Sequence, residues 1–230
     1  MSQDNNNNKV NFELSGNLTS RTKFIVSDGN CGDIDFLEDF ELIIIKKGNM
    51  QDLCTEANRL MKEHRKKGNL RIIIMGGNSS INPTVLEGAP IECLKRERES
   101  LVADLCDKVV KPLETLMKLT ANNGDKLAVC SLIPRLANFR VKCDQQSRIL
   151  SEAYVKCNDM IKDLNIQFGL PKVHINSELE VKPDKAMVFI SGQRVVKTHL
   201  YNPDGVTISL LAQRKVHKVI KRVLKDWLLS

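Results

Sequence analysis

Residues 70–80 read LRIIIMGGNSS, an aliphatic run that stops on two glycines and a short polar turn. A strand with one face in water alternates apolar with polar residues. This one does not, so both its faces need cover, as in the middle of a parallel sheet. Four other runs share the character: KFIVS (23–27), ELIIIK (41–46), KLAVCSL (126–132) and KVHI (172–175). The expectation is a five-stranded parallel sheet.

Between these runs the apolar period becomes helical. Leu53, Ala57, Leu60, Met61 and His64 share one face of 51–66. Leu94, Leu101, Leu105, Val109, Leu113 and Leu116 run through a long helix near 92–119, which Pro112 is expected to kink or end early. Ile149, Ala153, Met160 and Leu164 mark a helix over about 145–167; Ala212, Val216, Val219, Ile220, Val223 and Trp227 mark a last one over about 209–228. Strands alternating with helices imply right-handed crossovers, hence a three-layer α/β/α sandwich of the doubly wound, flavodoxin-like kind. Residues 1–20, rich in Asn and Ser, read as a flexible lead-in, and 21–230 as one domain.

Composition agrees. Hydrophobic residues make up 42% and charged residues 27% of the 230, the balance of a folded soluble protein. Aromatics are 4%, so the core has to be aliphatic. No apolar run reaches the roughly 20 residues that cross a bilayer, and MSQDNNNNK at the start lacks the apolar segment of a signal peptide. The seven cysteines (Cys31, Cys54, Cys93, Cys106, Cys130, Cys143, Cys157) are odd in number, with no C-x-x-C pair. They predict reduced thiols in a cytoplasmic or nuclear protein. His64, His174, His199 and His217 are too scattered to suggest a metal site. No cofactor is expected.

The formal net charge of +7 is unevenly spread. Residues 1–58 hold ten acidic against five basic side chains, a balance of −5, so the other 172 carry +12. With no acylation signal, that asymmetry points to a nucleic acid before a membrane.

Ligands of such sheets meet the loops at the carboxyl ends of the strands. Here these are SDGNCGD (27–33), KKGNM (46–50), MGGNSS (75–80), SLIPRLANF (131–139) and, before the last helix, YNPDGVTIS (201–209). Their order and spacing resemble the SGNH (GDSL-type) hydrolases, whose blocks are Gly-Asp-Ser, a lone Gly, Gly-x-Asn-Asp and Asp-x-x-His. The resemblance spans roughly 22–228, and each block by itself is short. It places Gly29 at the nucleophile, Gly48 and Asn78 as oxyanion donors, and Asp204 and Thr207 where the aspartate and the general base belong. A serine hydrolase needs an Oγ beside an imidazole that takes its proton. Glycine has nothing to attack with and threonine is no base at pH 7. The expectation is therefore no enzyme. Ser27 and His199 are the candidates for rescue, as a residual esterase.

Two basic stripes remain to be explained. Arg59, Lys62 and Lys66 follow 0, +3, +7 spacing, extended by Arg65, Lys67 and Arg71. Arg214, Lys218, Lys221 and Lys225 follow 0, +4, +7, +11 on the last helix, with Lys215 and Arg222 flanking. Arg194 and Lys197 precede it. Glu63 and Asp226 are the only carboxylates within the stripes, where a merely solvated helix face carries more. With two Tyr and one Trp, base stacking cannot dominate. Phosphate contacts, helped by polar groups such as Ser79, Ser80 and Asn82, would carry affinity for RNA, single-stranded or structured. The first candidates are Arg59, Lys62, Arg65, Lys66, Arg71 and Ser80; Arg194, Lys197 and the last helix follow. The alternative is a protein–protein scaffold that uses the altered pocket or the acidic 28–41 segment.

Gly29 and Thr207 at those positions, with an Asn-rich start and basic helices, are similar to the inactive hydrolase-like domain of insect germ-plasm organisers. That narrower resemblance implies maternal messenger RNAs such as nanos as ligands, bound through 3' untranslated regions, and a role in cytoplasmic germ granules with their proteins. It implies neither membrane nor small-molecule substrate, and one domain of a longer protein.

Overall fold

The computed structural model describes residues 22–30, 40–64, 70–81, 86–123, 126–134, 145–179, 198–203 and 207–229. The expected lead-in, 1–20, lies outside them. Four strands, β1 (Lys23–Ser27), β2 (Glu41–Ile44), β3 (Arg71–Met75) and β4 (Lys126–Val129), form one sheet in the order β2-β1-β3-β4. Every pairing is parallel, with Ile25 level with Leu42 and Ile73, and Ile73 level with Ala128. Phe24, Ile25 and Val26 on β1 and Ile72 to Met75 on β3 are all closed to solvent, as unbroken apolar runs require when helices cover both faces.

The fold is the expected α/β one, with four strands in place of five. The run 172–175 contributes a single parallel bridge, Val173 to Cys130, and the carbonyl of Val173 accepts the Ser131 N–H at 2.9 Å. It cannot lengthen. Pro171 stands just before it with no N–H to give. Just after it, the Asn176 N–H turns to the Ser131 Oγ and a 3-10 turn, Asn176–Glu178, begins.

Helices α1 (Met50–His64), α2 (Ile91–Arg96), α3 (Arg98–Asn123), α4 (Gln145–Gln167) and α5 (Leu210–Leu229) complete the order. Asn49 caps α1 reciprocally: its Oδ1 accepts the Asp52 N–H at 3.0 Å, and its own N–H goes to Asp52 Oδ2 at 2.9 Å. The helix expected over 92–119 is two, separated at Glu97, whereas Pro112 sits inside α3 and does not end it. A proline removes one backbone bond and costs about 3 kcal/mol. Around Pro112, Val109, Val110, Leu113, Leu116 and Met117 are all buried, and that packing holds the helix through it.

The crossovers from β2 to β3, β3 to β4 and β4 to Val173 all run the same way across the sheet. Right-handedness therefore stacks α1, α3 and α4 on one face, where α1 packs on α3 and α3 on α4. The opposite face is left for α5, which buries Ala212, Val216, Ile220 and Leu224 and packs on the turns Asn176–Glu178 and Thr198–Leu200. Polar side chains of α4 tie off the strand ends: Asn158 Oδ1 accepts the Leu132 N–H, Tyr154 donates its hydroxyl to the Leu132 carbonyl, and Asn165 donates to that of Val129. No helix among the described residues is long and apolar enough to cross a membrane.

Candidate functional site

At the carboxyl edge of the sheet everything converges on Asp28, just past the end of β1. Its buried carboxylate accepts four bonds: from the Gly77 N–H (2.9 Å), the Asn78 N–H (3.2 Å), and the backbone and side-chain amides of Asn30 (3.1 and 2.9 Å). Gly76, at φ +120°, lies so close that a Cβ there would stand 2.3 Å from the Asp28 Cγ. Gly77, at φ +85°, would drive its Cβ into the Met50 side chain. The two glycines thus let β3 turn over a buried carboxylate and the start of α1. This latch was missed in the sequence, where Asp28 registered only as part of a motif. The signal was the Gly-Gly pair ending an aliphatic strand.

The structure brings the hydrolase-like positions to this same edge. Gly29 has φ +84°, a left-handed backbone that an L side chain adopts only under strain, and a Cβ there would meet Ile44 at 3.2 Å. The N–H of Gly48 closes a turn onto the Ile45 carbonyl at 2.8 Å. The Asn78 amide donates to the Ile133 carbonyl at 2.7 Å, and its Oδ1 is buried without a hydrogen-bond partner. Thr207 Oγ1 accepts from the Asn202 side chain at 3.0 Å. The adjoining Ile208 N–H reaches the Asn30 carbonyl, which joins the last loop to the first. Asp204 lies outside the described residues. Both groups that the resemblance assigns to an oxyanion hole are thus turned on protein carbonyls. Of the rescue candidates, Ser27 is fully buried with its Oγ accepting the Gly29 N–H at 3.1 Å, and His199 is exposed on a 3-10 turn.

The RNA candidates separate. Arg59 on α1 is forked between two carboxylates: its Nε and Nη2 bond Glu56 at 2.9 and 2.6 Å, and its Nη1 reaches Glu63 at 2.5 Å. The Glu56 bond, then the Glu63 bond, push its already high pKa further up. Lys62 is exposed beside it. Arg71 and Ser80, expected on the surface, are buried and stand at opposite ends of the sheet. Arg71 is at the amino edge, in register with Lys23 and Lys126. Ser80 uses its Oγ to accept the Met50 N–H at 2.8 Å, which anchors the start of α1. A strand position in a continuously apolar run faces a neighbour whichever way it points, which is why Arg71 is enclosed. Arg65, Lys66, Arg194 and Lys197 lie outside the described residues.

Helix α5 is different. Arg214, Lys218, Lys221, Arg222 and Lys225 are all exposed on its outward side. Arg214, Lys218, Arg222 and Lys225 make no ion pair with a described residue. Leu210 and Leu211, 62% and 52% exposed, head the same face.

No family model and no curated protein matches the chain. Solved structures do. A GDSL-like lipase from Bacteroides thetaiotaomicron matches at TM-score 0.60 and 13% identity, over 91% of this chain and 89% of its own. A Bacteroides fragilis protein described as an acylhydrolase matches at 0.58 and 14%, over 90% and 88%. The OSK domain of Drosophila Oskar matches at 0.49 and 16%, over 80% and 73%, too loosely to add to the first two. At these identities the likeness is one of fold: the chain has the α/β fold of GDSL-type hydrolases.

Proposed function

We propose that this chain is a hydrolase-like domain that does not cleave esters and binds RNA through its cationic helix faces, α5 foremost. The observation that carries the reading is α5: five exposed cations on one side of a helix with no carboxylate between Leu210 and Lys225. Phosphate oxygens are the ligand such a row fits, because they repeat and need no fixed register. Lys62 on α1, with Arg65, Lys66, Arg194 and Lys197, supplies further cations; Arg59 contributes less because Glu56 and Glu63 already occupy it. Gly29 in a left-handed backbone and Thr207 on Asn202 support the lack of turnover.

The sequence likeness of 23–50, 70–83 and 201–228 to the OSK domain of Oskar extends this reading to messenger RNAs of germ plasm, such as nanos, and to germ-granule assembly in the cytoplasm. Titration of the chain with labelled RNA over a range of salt tests it. Saturable binding that weakens steeply with salt is expected. Absence of saturable binding near physiological salt sinks it. The same protein should release no product from a generic acyl ester. Turnover that vanished on mutating Ser27 or His199 would restore the esterase reading.

A second reading has one observation in its favour. Leu210 and Leu211 give the α5 face an apolar head that phosphates do not need, and an acidic amphipathic peptide would use both. RNA that failed to bind, with such a peptide binding in its place, would select it.

A further inference from the structure

A groove of about 750 Å³ runs between α1 and α3, on the sheet face away from α5. That is within the ~300–1,000 Å³ usual for small-ligand sites. Its α1 wall is polar, and its α3 wall combines lysines with an aliphatic ledge of Pro112, Leu116 and Leu119, the last 41% exposed. Most polar groups there are spent. Gln51 and Thr55 bond each other, Asn49 caps its helix, and Lys111 pairs with Asp107 at 2.7 Å. Two are not: Asn58 and Lys108, on opposite walls, have no hydrogen bond or ion pair to any described residue.

We infer that this groove takes one unstacked nucleotide, as part of a single-stranded RNA or as a free mononucleotide. The inference rests on the RNA reading for the first source only. A carboxamide offers a donor and an acceptor side by side, the pairing that a base edge presents. The aliphatic ledge gives the base a flat apolar surface, and Lys108 across the groove is placed for its phosphate. A base still paired in a duplex shows neither its face nor its pairing edge, so the groove selects unpaired RNA. An uncharged sugar or peptide would leave Lys108 without a role.

The test uses the whole chain and three probes: an eight-nucleotide single strand, a duplex, and AMP. The variants are Asn58→Leu, Asn58→Gln and Lys108→Glu, each checked for unchanged melting. We expect Asn58→Leu and Lys108→Glu to weaken the single strand about tenfold and the duplex by less than twofold, and Asn58→Gln to recover part of the loss. Loss of AMP binding in the same variants makes a free mononucleotide a second source; AMP that never binds while the single strand is lost confines the groove to RNA. Equal loss on duplex and single strand, or no loss on any probe, overturns the inference. Should wild type bind no RNA at all, the reading of α5 fails by itself, and AMP then decides the groove: binding sensitive to Asn58→Leu sustains it and absence of binding ends it.

Discussion

Helices α1 and α5 read alike in sequence, each with an apolar stripe on one side and cations at helical spacing on the other. In the structure they part. On α1, Glu56 and Glu63 stand three residues before and four after Arg59, the two offsets at which helix side chains meet. The arginine is pinned between them. On α5 the first carboxylate after Leu210 is Asp226, so no cation from Arg214 to Lys221 has an acidic neighbour at either offset, and only Arg222 has one, four residues on. Charge counted along a stripe says little about charge available to a ligand; the i±3 and i±4 neighbours decide it. The helices also cover opposite faces of the sheet, so their cations do not merge into one surface.

The largest effect expected from this contrast is on α5. Arg214→Glu with Lys218→Glu should weaken RNA binding roughly a hundredfold at moderate salt and lower the slope of log affinity against log salt by about two. Both residues are exposed, whereas Ala212, Val216 and Ile220 form the buried stripe of the helix, so melting should stay unchanged. A double variant with wild-type affinity would leave α5 a solvated surface and collapse the distinction.

The matching change on α1 should read out in stability. Glu56 is 6% exposed and bonds Arg59 through both carboxylate oxygens. Arg59→Ala strands that carboxylate, at a cost of about 1–3 kcal/mol. For a chain of this size that lowers the melting temperature by roughly 2–4 °C per kcal/mol. RNA affinity should move by less than twofold. A large affinity loss with no change in melting would put Arg59 on the ligand after all.

How much of this could be read in advance divides along the same line. Unbroken runs such as 71–75 announced a parallel sheet, because burial on both faces leaves a signature in hydropathy alone. The strand expected at 172–175 failed on two local details, Pro171 before it and the Asn176 turn after it, that weigh more than four residues of pattern. Pro112 failed the other way: packing by its neighbours outweighed a strong local rule. The carboxyl-edge loops were found in the right place, yet their chemistry was not legible. That Gly48 and Asn78 turn inward to Ile45 and Ile133, or that Asp28 latches β1 to β3, depends on partners up to 55 residues away. For α1 the missing fact was nearer: Glu56 lies three residues from Arg59, and its spacing was open to inspection.

The smallest effect is the sharpest test of the comparison. If α1 is quiet because its arginine is occupied, then freeing the arginine should make it less quiet. Glu63→Gln removes the more exposed of the two partners, 48% open to solvent, and leaves Glu56 in place. An exposed pair of this kind contributes about 0.2–1 kcal/mol, so the fold should hardly notice. Electrostatically, one negative charge leaves the face that carries Arg59 and Lys62, within a Debye length of any phosphate bound there. RNA affinity should rise by about twofold, more at low salt than at high, and the gain should survive in the Arg214→Glu/Lys218→Glu background, because the two faces act separately. Measured by anisotropy in both backgrounds, an unchanged affinity means that α1 faces no RNA whether or not its arginine is paired. A gain that vanishes with the α5 variant means that the two faces hold one strand between them.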